Sequence, residues 1–155
     1  MPVINELLVL STAYFITFII STILIVYILQ LPTVINRQKN LVQEYYYDNF
    51  FKSFVFDLFL ILVYLLLSQL VIYGLNATYL LTRIILVAIT TLCISGAFYL
   101  FFISRPLNKD VFFSRWFYAA GFRAVIYDIV LLTITYSILM FILVKTKDRI
   151  KTWVE

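Results

Sequence analysis

The stretch FVFDLFLILVYLLLSQLVIY, residues 54–73, contains a single charged side chain, that of Asp57. An α-helix needs about 20 consecutive apolar residues to cross a hydrocarbon core of about 30 Å, so this stretch predicts a transmembrane helix. Three further stretches of the same kind cover residues 7–29, 84–103 and 124–144. The sequence therefore predicts an all-α fold, a bundle of four transmembrane helices.

The composition of the whole chain favours the same class of protein. Of its 155 residues, 64% are hydrophobic and 13% are charged, with a mean hydropathy of +1.02, whereas soluble domains are only about half apolar. We expect a single integral membrane domain over residues 1–155. The first span is expected to be a retained anchor, because no basic residue precedes it as in a signal peptide.

Two connectors, residues 32–53 and 104–123, join the spans, and a basic tail follows at residues 145–155. In the connectors, apolar and aromatic residues recur at roughly helical spacing, with charged residues between them. This pattern predicts amphipathic segments in the headgroup layer, where Tyr and Trp rings are favoured; an aromatic-rich loop is the alternative. The expected interfacial anchors are Tyr45, Tyr46, Tyr47, Trp116 and Trp153.

The segments FKSFVFDLFLIL, residues 51–62, and FRAVIYDIVLLT, residues 122–133, are similar and lie 71 positions apart. In each segment a basic residue, Lys52 or Arg123, precedes an aspartate, Asp57 or Asp128, by five positions. The similarity indicates a parallel repeat of two helices per unit, with both aspartates at one depth near one leaflet. Five positions turn about 140° around a helix, so we expect ion pairs across the repeat, Lys52 with Asp128 and Arg123 with Asp57.

The two aspartates are the chain's main candidates for function. An acid at the centre of a membrane helix costs at least ~2.5 kcal/mol and marks a functional site by default. The favoured interpretation is a structural clamp of ion pairs between helices. A proton or cation pathway through Asp57 and Asp128 is the alternative.

Small and hydroxyl-bearing residues indicate where the helices touch. Membrane helices associate through close packing and interhelical hydrogen bonds, which small residues allow. The expected helix-packing residues are Ala13, Thr17, Ser21, Thr91, Ser95, Gly96, Thr133 and Ser137.

Side chains suited to catalysis or metal binding are scarce. The chain has no histidine and a single cysteine, Cys93, which removes the commonest proton shuttle at neutral pH and any disulfide within the chain. It also has no glycine-rich phosphate loop and no metal-binding motif. We therefore predict a non-enzymatic protein with no catalytic residues, no cofactor and no metal site.

The chain is small, lacks histidine and is rich in Tyr, Phe and Ile. In this overall style it resembles multi-span membrane proteins of large DNA virus particles, and equally accessory subunits of organellar respiratory complexes. The first resemblance, which we favour, implies a structural subunit or membrane anchor, such as a minor capsid component, in a virion internal membrane or a host endomembrane. The second implies the mitochondrial inner membrane. The expected partners are the lipid bilayer and other protein subunits, with neither nucleic acid nor a small-molecule substrate.

Two further functions fit the pattern. A small proton or cation transporter or channel subunit would use Asp57 and Asp128, and a membrane-shaping protein would wedge its aromatic connectors into one leaflet. Seven basic residues in the connectors against five on the other side of the membrane place the connectors on the cytoplasmic side by the positive-inside rule.

Overall fold

The computed structural model describes residues 2–154, and the side chains of residues 6–146. Among these residues it is helical with no strand, which confirms the all-α class. Four helical segments are long and apolar enough to cross a membrane. The chain is thus a multi-pass integral membrane protein. The four spans are Glu6–Ile28, Phe50–Gly74, Leu80–Ile103 and Arg123–Thr146.

The spans alternate with shorter helices in the connectors. The first span comprises α1, Pro2–Thr22, and a π-helical turn, π1, Ile23–Ile28. The first connector holds α2, Leu31–Ile35, α3, Lys39–Gln43, and a second π-helical turn, π2, Glu44–Asp48. The remaining helices are α4, Phe50–Gly74; α5, Leu80–Ile103; α6, Phe112–Ala120; and α7, Arg123–Val154.

Backbone chemistry explains where the helices stop. Gln30 has a φ of 49° and separates π1 from α2. The first turn of α2 contains Pro32. Its missing N–H costs nothing there, because the first N–H groups of a helix have no partner within the helix. Gly121 has a φ of 61° between α6 and α7. Residues with a Cβ rarely adopt this conformation, so glycine allows the abrupt change of direction there.

The first core lies among the four spans. Helix α7 packs against α5 and α1, and α5 packs against α4. The Tyr14 hydroxyl on α1 donates to the backbone carbonyl of Leu58 on α4 at 2.5 Å. Phe18, Ile25 and Val87 are almost completely buried in this core, whereas many apolar side chains of α4 and α5 are exposed and face lipid in a multi-pass protein.

The second core lies at one end of the bundle, where the two connectors meet. Leu41 and Val42 of α3 and Tyr46 of π2 pack with Trp116 and Phe117 of α6. We expected amphipathic connectors in the headgroup layer, and the structure shows in addition that each connector buries aromatic side chains against the other. The large apolar area of aromatic rings makes this mutual burial favourable. The connectors together form a roof over that end of the bundle.

The basic tail is a continuation of the last span. Helix α7 extends through it as far as Val154, since the segment is rich in Lys and Arg and contains neither Gly nor Pro. The side chain of Trp153, one of the expected interfacial anchors, lies outside the described side chains.

Candidate functional site

Asp57 and Asp128 line a single cavity of about 180 Å³. Its walls come from α4, α5 and α7, and its roof from π2 and α6, which contribute Tyr45 and Trp116 among others. Two aspartates that line one cavity lie at the same end of the bundle, as the repeat predicted. The cavity is therefore the place where the repeated segments and both connectors converge.

Each aspartate is held by a hydroxyl group. The Tyr45 hydroxyl donates to Oδ1 of Asp57 at 2.6 Å, and the Ser95 hydroxyl on α5 donates to Oδ2 of Asp128. Both donors are close enough for strong hydrogen bonds to carboxylates. Tyr45 comes from the roof and Ser95 from a span, so the two equivalent acids have different surroundings.

The predicted ion pairs across the repeat are wrong. Neither Lys52 nor Arg123 lies within 4.0 Å of either carboxylate in the described part of the chain, and both side chains are exposed. The five-residue spacing turns each base away from its own acid, as expected, but also towards the outside of the bundle rather than towards the other repeat. Long basic side chains at helix ends extend to the headgroup layer, where their charge stays hydrated.

Tyrosines of the roof and of α7 surround the aspartates. The hydroxyls of Tyr46 and Tyr127 lie 3.1 Å apart and share a hydrogen bond. The Tyr45 ring stacks on that of Phe112 with centroids 4.7 Å apart. Burial, and then the charge of Asp57, raise the pKa of Tyr45, so its hydroxyl keeps the proton that it donates.

The structure corrects the assignment of interfacial anchors. Tyr46 and Trp116 are only 8% and 7% exposed, and Tyr45 is half-buried over the cavity. These three side chains belong to the roof of the site because their rings pack on one another. Tyr47 is exposed, as an anchor would be.

An ion pair between Glu44 and Arg115 joins the two connectors. Both guanidinium nitrogens Nη1 and Nη2 donate to the Glu44 carboxylate at 2.7 Å, and this hydrogen bonding is the main cause of the lowered pKa of Glu44. Of the side chains that the structure describes, these form the one salt bridge. The two residues are 71 positions apart, the same spacing as Asp57 and Asp128.

This pair lies outside the two similar segments, which begin at residues 51 and 122. Extended backwards by seven positions, the 71-residue spacing matches Glu44 with Arg115, and Tyr45 with Trp116. The rings of Tyr45 and Trp116 are 6.4 Å apart, so equivalent positions of the two units meet at the centre of the roof.

The expected helix-packing residues fall into two groups. Ala13, Thr17, Ser21, Thr91 and Ser95 are buried. Gly96, Thr133 and Ser137 are half-buried, and the hydroxyls of Thr133 and Ser137 bond to the backbone of their own helix. The fully buried hydroxyl residue of α7 is instead Thr135, which the sequence analysis did not select.

No group of three or more metal-ligand side chains occurs in the described residues, and Cys93 is exposed on α5. Comparison with known protein families, curated proteins and solved structures found no match.

Proposed function

We propose that this chain is a non-enzymatic multi-pass membrane protein that binds a cation at Asp57 and Asp128. The observation that carries the proposal is that both carboxylates line one cavity. Each of them accepts a hydrogen bond from a hydroxyl instead of pairing with a basic side chain.

Electrostatics favours a cation beside the two carboxylates. A carboxylate removed from water loses several kcal/mol of hydration, and two of them in one apolar cavity also repel each other. One hydroxyl donor for each acid offsets only part of this cost. A cation between the two carboxylates removes the repulsion and supplies the missing partner.

The cavity supports binding rather than an open pore. Towards the opposite end of the bundle the spans meet through buried apolar side chains, including Leu65, Ile72, Val87 and Leu139. A continuous polar path would be needed for ions to cross at a steady rate. The transporter alternative therefore requires a second conformation, whereas binding requires none.

Cation binding is testable by the thermal stability of the protein in nanodiscs. Sodium, potassium, calcium and an alkylammonium chloride are each added to the wild type and to the double variant Asp57→Asn/Asp128→Asn. A ligand at 100 times its dissociation constant stabilises the folded state by about 2.7 kcal/mol, so at least one cation should raise the wild-type midpoint. The double variant corrects for effects of ionic strength. An identical response of the two proteins to every cation contradicts the proposal.

A second candidate function is that of a structural subunit or membrane anchor in a larger assembly. It is favoured by the exposed segment 104–111, in which Arg105, Lys109 and Asp110 project from the roof. This segment lines a surface groove of about 620 Å³ together with Phe101 and Ser114. A virion internal membrane or an organellar respiratory complex remains the proposed setting, on the overall style of the sequence alone.

The subunit hypothesis is tested by tagged protein purified from its native membrane in mild detergent. Partners that co-purify with the wild type should be lost with Arg105→Glu/Lys109→Glu, which reverses the charge of the exposed segment. The matched control is Lys145→Glu, an exposed base on the opposite side of the membrane. A monomer without partners on native electrophoresis would contradict this function and leave cation binding unaffected.

A further inference from the structure

The lining of the cavity restricts the kind of cation it can hold. Of its seventeen lining residues, eleven are aromatic, four are aliphatic and two are the aspartates. Trp116, Phe117 and Tyr127 among them are buried. The rings enclose the carboxylates in a predominantly aromatic wall.

Such a wall provides few oxygen ligands for an inorganic cation. Calcium requires six to eight oxygen ligands and magnesium retains much of its water, but the cavity offers two carboxylates and a few hydroxyl oxygens. An organic ammonium group has the opposite requirements. Its charge is attracted by the faces of aromatic rings, and its N–H groups donate to carboxylates.

The size of the cavity also fits an organic cation. An apolar protein cavity of about 150 Å³ accommodates benzene, and this one is about 180 Å³. An ammonium group with a short carbon chain would fill it. A space of this size beside two acids has room for such a ligand.

The cavity reaches the outer surface of the bundle. Phe56 on α4 and Phe98 on α5 line it and are 44% and 46% exposed. Both residues lie within spans, so the opening faces lipid. A longer hydrocarbon chain could pass between them into the bilayer while its amine stays inside.

We infer that the ligand of this cavity is a primary ammonium group, held between Asp57 and Asp128 beneath the aromatic roof. The inference rests on the proposed cation-binding function and deepens it. The amine belongs either to a small soluble molecule or to a membrane-resident amphiphile. Both sources present the same chemistry to the site.

Tryptophan fluorescence gives a direct readout. The chain has two tryptophans, so Trp153→Phe leaves Trp116, in the roof, as the only one. This protein is placed in nanodiscs of phosphatidylglycerol, a lipid without an amine, and titrated with butylammonium. The neutral control is 1-butanol. We expect a saturable change with butylammonium, absent with butanol and absent after Asp57→Asn/Asp128→Asn.

The source of the amine is separated by a second titration, in which dodecylamine, compared with dodecanol, is added to the nanodiscs. A response to butylammonium alone supports a soluble amine. A response to dodecylamine at much lower concentration supports a membrane-borne amine. A response to neither overturns the inference, and if inorganic cations still stabilise the wild type over the double aspartate variant, the proposed function stands without it.

Aromatic variants test the contribution of the rings. Phe98→Leu, at the opening of the cavity, should weaken butylammonium binding about two- to fivefold, the equivalent of a cation–π contact of 0.5–1 kcal/mol. The matched control is Phe59→Leu, an exposed ring of α4 that does not line the cavity. Equal affinities for the two variants would contradict an aromatic contribution to ammonium binding.

Discussion

Asp57 and Asp128 occupy the same position of two similar sequence segments but have different hydrogen-bond donors. Their occurrence in apolar helices and their shared depth follow from the sequence, because spacing along a helix determines depth. Their donors do not. Tyr45 reaches Asp57 only because π2 and α4 fold back on each other, and Ser95 reaches Asp128 through the packing of α5 on α7.

Removal of the Tyr45 hydroxyl tests the importance of this donor. Tyr45→Phe should lower the free energy of unfolding by about 1–3 kcal/mol, because a half-buried carboxylate that lines the cavity loses its hydrogen bond. Tyr47→Phe is the matched control, since the neighbouring side chain is exposed. Thermal unfolding in nanodiscs measures both. Equal midpoints for the two variants would show that the Tyr45 hydroxyl does not hold Asp57.

Asp57 and Arg123 form no ion pair, so we expect substitutions of the two residues to affect stability independently. Substitutions of residues that share no contact usually add within about 0.5 kcal/mol. The loss of stability in Asp57→Asn/Arg123→Gln should therefore equal the sum of the losses in the single variants. A double-mutant cycle from unfolding measurements checks this, and a coupling energy above 1 kcal/mol would restore the ion pair that the sequence suggested.

At the scale of elements, the four spans and their order were predictable, since runs of about 20 apolar residues are a strong signal. The packing of the two connectors against each other was not predictable. Their amphipathic spacing is typical both of a helix on a membrane surface and of a helix packed on another helix. The bidentate pair of Glu44 and Arg115 joins the two connectors, as expected for helices packed on each other.

This ion pair should make the roof sensitive to acid. Arg115 lowers the pKa of Glu44 in the folded protein, so the pair stabilises the fold above the ordinary glutamate pKa of about 4.3. The stabilisation is lost as pH falls through the lowered value. Since the side chains are 28% and 37% exposed, solvent screening limits the contribution to less than about 1 kcal/mol.

The measurement compares wild type with Glu44→Gln between pH 3 and pH 7. The wild type should be more stable at pH 7, and the difference should shrink as pH falls towards 3 and Glu44 takes up a proton. Asp48→Asn, in the same π-helical turn, controls for general acid sensitivity. A difference that does not change with pH would contradict an ion pair in solution. Asp110, a second acid whose charge acts on Arg115, is retained in all three proteins.

The two ends of the bundle differ. One end carries the roof and the cavity, and the other carries a short turn between α4 and α5 where Asn76 has a φ of 52°. The roof contains side chains from both connectors. The cavity therefore exists only if both connectors lie on one side of the membrane. Two spans, α4 and α5, separate the connectors along the chain, and two crossings return the chain to the side from which it started.

This arrangement predicts a labelling pattern. In a Cys93→Ser background, single cysteines replace Asn40 in the first connector, Lys109 in the second, and Thr78 in the opposite turn; all three side chains are exposed. A maleimide that cannot cross membranes should label Asn40→Cys and Lys109→Cys from the same side, and Thr78→Cys from the other. The excess of basic residues in the connectors favours the cytoplasmic side for the first two.

The control for reactivity is the same labelling in detergent. Without a bilayer Thr78→Cys and the other two thiols should all react. Labelling of Asn40→Cys and Lys109→Cys from opposite sides of the membrane would separate the connectors by the thickness of the bilayer. Glu44 could then not reach Arg115, and the two connectors could not share a roof. Without that roof Asp57 would lose its Tyr45 donor, so this outcome would remove the cavity and both proposals that depend on it.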